Sequence, residues 1–124
     1  MPIEGKKRLL GVLEDLFFMV KINEAAKRVG FIAEFVKSEE DALAKAKTAP
    51  ALIIVDLNYH AVDSLKLVEH LKADPRTKEI SVIGYVSHVQ GELKQKAQES
   101  GCNMVLARSA FSQNLPQILK RHSL

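Results

Sequence analysis

Carboxylates follow two apolar segments of the chain. The segment "ALIIVD" ends at Asp56, and "RLLGVL" is followed directly by Glu14 and Asp15. A charge at the edge of a core is costly unless a partner balances it. Neighbouring carboxylates repel one another unless a cation joins them, and Mg²⁺ is a hard ion that binds oxygen ligands and keeps part of its water. The alternative for Asp56 is a surface turn, where aspartate is common.

Other chemistry finds little support in the residue types. The chain has no Gly-rich phosphate loop and no Ser/His/Asp or Cys/His arrangement. The histidines His60, His70, His88 and His122 lack ligand spacing, and one cysteine argues against a zinc site. That residue, Cys102, excludes an internal disulfide and fits a reducing compartment. We therefore expect a binding or signalling protein that is not an enzyme.

The composition indicates a single globular domain over residues 1–124. Hydrophobic residues make up 47% and charged residues 27% of the chain, and the net charge is only +3. Lysines alternate with acids, which favours solvated helix faces over a nucleic-acid surface. Acids interrupt the apolar stretch near the start, and no cleavage site follows it. We expect a cytoplasmic protein that neither spans a membrane nor binds nucleic acid.

Strand and helix patterns alternate along the whole chain. Ser38 is a predicted helix N-cap with Asp41 three residues on, and Gly30 stands where a helix C-terminal glycine belongs. Pro116 is predicted in the first turn of the last helix, capped by Ser112 or Asn114. The predicted strands are 8–13, 31–36, 51–56, 80–86 and 103–107, and the predicted helices are 16–29, 39–48, 64–72, 91–100 and 112–122.

This alternation predicts an α/β fold in which a doubly wound, five-stranded parallel sheet lies between two helix layers. Right-handed crossovers place helices on both faces of such a sheet. We predict the flavodoxin-like strand order 2-1-3-4-5, whose functional crevice lies beyond the carboxyl ends of strands one and three. Glu14, Asp15 and Asp56 then converge there. This convergence favours a weak Mg²⁺ site over the surface-turn interpretation of Asp56.

The chain resembles the receiver domain of bacterial two-component response regulators, the CheY-like family, over nearly its whole length. The stretches that carry the likeness are "GVLEDLFF", "LIIVDLN", "VDSLKLVEHLKADPRTKEISVIGYVSH" and "ESGCNMVLARSAF". The resemblance implies that a sensor histidine kinase or phosphotransfer protein phosphorylates Asp56. It also implies that Glu14 and Asp15 bind Mg²⁺ beside Asp56, with a backbone carbonyl from Asn58.

Several positions depart from the family pattern. Val86 stands where the family has Ser or Thr, Arg108 stands at the lysine position, and Ser109 replaces the usual proline. Arginine keeps the charge, but its wide planar fork is not an equivalent anchor for a phosphoryl group. Spacing back from the end of the first helix puts Glu14 at the second acid position and Leu13 at the first, unless the loop is one residue shorter.

Two functions of different class follow from the match and the departures. The first is a stand-alone receiver in which phosphorylation of Asp56 rearranges the face of helix four, strand five and helix five toward a downstream signalling protein. The second is a pseudo-receiver, a binding module that is not switched by phosphate. A flavin carrier on the same topology is weaker, because "EDLFF" is acidic and apolar where a hydroxyl-rich phosphate loop is needed.

Overall fold

Strands and helices alternate in the structure, a computed structural model that describes residues 7–87 and 91–122. His88 lies outside these ranges. The strands are β1 (Lys7–Val12), β2 (Phe31–Val36), β3 (Leu52–Asp56), β4 (Ser81–Val86) and β5 (Met104–Ala107). The helices are α1 (Leu16–Arg28), α2 (Glu39–Ala46), α3 (Ser64–Ala73), α4 (Gly91–Ser100) and α5 (Arg108–Arg121).

All five strands are parallel and form one sheet in the order β2-β1-β3-β4-β5, which confirms the predicted topology. From β1 the chain moves outward to β2 and then returns across β1 to build β3, β4 and β5. The reversal point therefore lies between β1 and β3. Their carboxyl ends leave a crevice there because the two following helices diverge.

Strand β3 is buried on both sides, as its unbroken apolar sequence predicts. Its first four residues, Leu52 to Val55, are all 0% exposed. Ile54 belongs to a core under α1 and α5, which also contains Ile22 and Phe111. Ile53 belongs to the core on the opposite face, with Leu67 of α3 and Ala97 of α4. The sheet thus separates two hydrophobic cores, and the acid that ends β3 lies at their common edge.

Two helix ends follow the local sequence signals. The Ser38 hydroxyl accepts a hydrogen bond from the backbone N–H of Asp41 at 3.1 Å, so it caps α2 as predicted. Gly30 follows α1 with a φ of 82°, a left-handed conformation that glycine adopts without strain. Among the described residues, no helix has the length and apolar composition needed to cross a membrane.

Helix α5 begins at Arg108, four residues before the predicted start, so the prediction for Pro116 is wrong. Pro116 lies in the helix interior, where it cannot donate to the carbonyl of Ser112. The reason is tertiary packing, which overrides the local signals. Phe111 is fully buried and stacks on Tyr85 with ring centroids 5.2 Å apart, and it starts the buried stripe that continues through Leu115, Ile118 and Leu119.

Candidate functional site

An open pocket of about 600 Å³ lies at the carboxyl ends of β1 and β3. It is lined by all four residues predicted on the metal side, together with the loop residues 59–61: Glu14, Asp15, Asp56, Asn58, Tyr59, His60 and Ala61. The two strand ends and the loop that follows β3 position these side chains. We call this the acid pocket.

Asp56 is the last residue of β3 and is half-buried. One of its carboxylate oxygens accepts a hydrogen bond from the backbone N–H of Asn58 at 2.9 Å. Burial raises the pKa of the Asp56 carboxyl, while the Asn58 hydrogen bond and the charge of Arg108 act in the opposite direction. A cation that enters the pocket would therefore stabilise the charged form of Asp56.

Asp15 caps a helix with one carboxylate oxygen and forms an ion pair with the other. It is the N-cap of α1, and its Oδ1 accepts a hydrogen bond from the backbone N–H of Phe18 at 3.2 Å. Its Oδ2 forms an ion pair with the Arg108 guanidinium. The hydrogen bond from Arg108, followed by that from Phe18, holds the pKa of Asp15 below its ordinary value. The charged form of Asp15 is therefore favoured.

Arg108 lies at the start of α5, but it contacts Asp15 rather than Asp56. Its guanidinium carbon is 4.6 Å from the centroid of the Phe18 ring, so the cation lies over an aromatic face. No ion pair joins Arg108 to Asp56 within the described ranges. The residue at the family's lysine position thus neutralises one of the acids expected to bind a metal.

Asn58 links the loop after β3 to the end of β4. Its side-chain carbonyl accepts a hydrogen bond from the backbone N–H of Ser87 at 2.7 Å. This bond fixes the side chain of Asn58. The expected role of the Asn58 backbone carbonyl toward a metal stays a prediction.

The carboxylates of Glu14, Asp15 and Asp56 supply the oxygen ligands that Mg²⁺ prefers. The described part of the chain nevertheless contains no group of three His, Cys, Asp or Glu side chains already arranged to hold an ion. Glu14 is exposed at the rim, and Asp15 is bound to Arg108. The donor chemistry fits Mg²⁺, and the ion would have to take the Asp15 oxygen from Arg108.

Tyr85, near the end of β4, is a site residue that the sequence did not predict. Val86 is 2% exposed and packs into the core on the α3 and α4 side. Tyr85, one residue earlier, pairs directly with Asp56 across β3 and β4 and packs on the α1 and α5 side. The available signal was a tyrosine in an otherwise aliphatic strand, because a buried tyrosine hydroxyl usually needs a partner.

Sequence comparison with known proteins finds one curated relative. No protein-family model matches the chain. Cysteine repeat modular protein B of Toxoplasma gondii is 33% identical over 110 residues, which cover 84% of this chain; the match spans about 1% of that protein's length.

Solved structures of response regulators have a similar fold over most of this chain. A putative response regulator from Chloroflexus aurantiacus has a TM-score of 0.84 at 23% identity, over 95% of this chain and 98% of that one. The phosphorylated cyanobacterial phytochrome response regulator RcpA has a TM-score of 0.78 at 24% identity, over 94% and 90%. The Mn²⁺-bound response regulator Rcp1 has a TM-score of 0.76 at 19% identity, over 93% and 90%. The chain has the CheY-like fold of response regulator receiver domains.

Proposed function

We propose that this chain is a receiver module of two-component signalling and that Asp56 is its phosphoacceptor. The observation that carries the proposal is the position of Asp56, half-buried at the carboxyl end of β3 in a pocket shared with Glu14 and Asp15. This pocket lies at the switch point of the fold, where ligands of open α/β sheets bind. That RcpA is phosphorylated and Rcp1 binds Mn²⁺ supports phosphoryl and metal chemistry on this fold.

In the proposed reaction, a carboxylate oxygen of Asp56 attacks the phosphorus of a phosphohistidine on a sensor kinase or phosphotransfer protein. A P–O bond forms as the P–N bond breaks, and the histidine nitrogen keeps the electron pair and takes up a proton. Mg²⁺ would neutralise the repulsion between the nucleophile and the phosphoryl group. The residues that would hold it are Glu14, Asp15 and Asp56, with the backbone carbonyl of Asn58. The chain is then the acceptor in phosphotransfer, and the partner histidine protein supplies the phosphoryl group.

Arg108 has a defined part in this proposal. A phosphoryl group on Asp56 adds negative charge and three acceptor oxygens beside the guanidinium. Arginine binds such oxygens in a bidentate manner. We expect Arg108 to leave Asp15 for the phosphoryl group, which frees the Asp15 carboxylate for the metal.

The second candidate function is the pseudo-receiver, a protein-binding module that is not switched by phosphorylation. Two observations favour it. Arg108 already neutralises Asp15, and the buried Val86 offers no hydroxyl at the end of β4. In this alternative the acid pocket has no role in signalling, and the helix faces bind the partner protein.

Incubation with acetyl phosphate and Mg²⁺, followed by intact-mass measurement, separates the two functions. A receiver gains the mass of one phosphoryl group, and Asp56→Asn abolishes the gain. Asp63→Asn is the matched control, because Asp63 caps α3 outside the acid pocket and asparagine is an equally good cap. No mass gain in the wild-type protein contradicts the receiver proposal and leaves the pseudo-receiver.

A further inference from the structure

The hydroxyl of Tyr85 is buried and makes no hydrogen bond within the described ranges of the chain. The side chain is 1% exposed, and its oxygen is the buried side-chain polar atom that finds no partner among the described residues. The ring is held between two others, with centroids 4.8 Å from Phe18 and 5.2 Å from Phe111. Buried hydroxyls are normally bonded, so an unpaired one suggests a partner that arrives later.

Tyr85 lies beside the proposed phosphoacceptor. Its Cα pairs with that of Asp56 in the β3/β4 ladder, and the carbonyl of Tyr85 accepts a hydrogen bond from the backbone N–H of Leu57 at 2.9 Å. Side chains alternate along β3, so Asp56 shares the α1 and α5 face with Ile54, and Tyr85 projects from that same face. The backbone pairing thus holds the two side chains next to each other.

The charged groups that act on this hydroxyl are Asp56 and Asp15 of the acid pocket and Arg108 beside it. Burial raises the pKa of Tyr85 far above its ordinary value, the charges of Asp56 and Asp15 raise it further, and Arg108 opposes them. The phenol therefore stays protonated and is available as a donor. Among the described residues the Tyr85 hydroxyl bonds to neither carboxylate: Asp15 accepts from Arg108 and the Phe18 amide, and Asp56 accepts from the Asn58 amide.

We propose that Tyr85 donates a hydrogen bond to a phosphoryl oxygen on Asp56, in place of the hydroxyl that Val86 lacks. This inference rests on the proposed phosphorylation of Asp56 and adds a phosphoryl-binding residue to that site. The phosphoryl group brings three acceptor oxygens to the sheet face from which Tyr85 projects. Tyr85 then gains a partner that the described part of the chain does not supply.

This role predicts opposite effects of Tyr85→Phe in the two states. Without a ligand, the variant is as stable as wild type or more stable, because it removes an unpaired buried hydroxyl. With a phosphoryl analogue bound, the variant lacks one hydrogen bond to a charged oxygen. A hydroxyl with a purely structural role would instead lower the stability of the unliganded protein.

The test uses beryllofluoride with Mg²⁺, a non-covalent analogue of the phosphoryl group, and measures its Kd by calorimetry. We expect about tenfold weaker binding to Tyr85→Phe than to wild type. Thr77→Val is the matched control, because it also removes a buried hydroxyl, which donates to the Leu71 carbonyl at 2.6 Å outside the acid pocket. Urea denaturation without beryllofluoride supplies the second readout.

Equal affinities of wild type and Tyr85→Phe, with both proteins folded, would overturn the inference about Tyr85 while leaving the phosphoacceptor proposal intact. A clear loss of unliganded stability in Tyr85→Phe would also overturn it, because the hydroxyl would then have a structural partner. If wild type itself binds no beryllofluoride and gains no mass from acetyl phosphate, the inference and the proposed function fall together.

Discussion

Arg108 and Asp15 join the starts of α5 and α1 across the carboxyl ends of the sheet. The same carboxylate caps α1 through the amide of Phe18, and the Phe18 ring lies under the guanidinium. The starts of two helices are therefore tied together beside the acid pocket. A ligand that displaces Arg108 must compete with both the ion pair and the cation–π contact.

The first prediction separates the two roles of Asp15. Asp15→Ala removes the cap and the ion pair and should lower the free energy of unfolding by about 1–2 kcal/mol. Asp15→Asn keeps a good cap and loses only the charge, so its loss should stay below about 1 kcal/mol, as for a part-exposed ion pair. Urea denaturation of the two variants and wild type measures both values. Equal losses would show that the cap does not contribute.

The second prediction concerns pH. Arg108 above all, and then the Phe18 amide, lower the pKa of Asp15 in the folded protein. A lowered folded pKa contributes stability above the unfolded pKa, and this contribution is lost as pH falls through the folded value. The stability difference between wild type and Asp15→Asn should therefore shrink as the pH falls below about 4. Urea denaturation over this range measures it, and a difference that stays constant would contradict the assignment.

The third prediction concerns Mg²⁺. Arg108→Met removes the internal cation from Asp15. Mg²⁺ should therefore bind this variant at least about threefold more tightly than it binds wild type. Amide chemical shifts at Asp15 and Asp56 during a Mg²⁺ titration report the affinity. The matched control is Arg76→Met, which also removes an arginine paired with an aspartate, Asp74, but lies outside the acid pocket. If the two variants bind Mg²⁺ equally, Arg108 does not compete with the ion.

The strand pattern was sufficient to predict the topology and the place of Asp56. An unbroken apolar segment predicts a strand covered on both faces, and a carboxylate at its end must then lie at the open edge of a parallel sheet. The start of α2 was predictable because Ser38 and the acids after it act within one turn. These signals are local, or depend only on strand order.

The side-chain contacts within the site were not predictable in the same way. The Arg108–Asp15 pair joins residues 93 positions apart, and Tyr85 meets Phe18 and Phe111 from two different helices. No periodicity encodes such contacts, because they depend on how separate elements pack. The start of α5 was mispredicted for the same reason, since the burial of Phe111 outweighs the local capping signals.

The fourth prediction follows from that misprediction. Pro116 lies within α5 and leaves the carbonyl of Ser112 without its helical donor. Pro116→Ala restores that hydrogen bond, and alanine is favoured over proline in a helix interior by about 3 kcal/mol. We expect the free energy of unfolding to rise by about 1–3 kcal/mol in urea denaturation. A loss of stability would show that the proline ring makes compensating contacts along α1.

The last prediction concerns how far a phosphoryl signal travels. Tyr85 lies on the α1 and α5 face, so its proposed hydrogen bond holds the phosphoryl group without pulling on α4. Val86 belongs to the core of the opposite face, together with Ala97 of α4. Val86→Thr should cost about 1–3 kcal/mol in the unliganded protein, because its hydroxyl has no partner there. A phosphoryl oxygen would provide that partner.

Combined with Arg108→Lys, which restores a compact point charge, Val86→Thr should enlarge the change in amide exchange at α4 and β5 when beryllofluoride and Mg²⁺ are added. Hydrogen exchange with mass-spectrometric detection measures this change. Val82→Thr with Arg108→Lys is the matched control, because Val82 is equally buried on the same face of β4 but lies farther from its carboxyl end. If the Val86 double variant responds no more than wild type or the control, position 86 does not limit the switch.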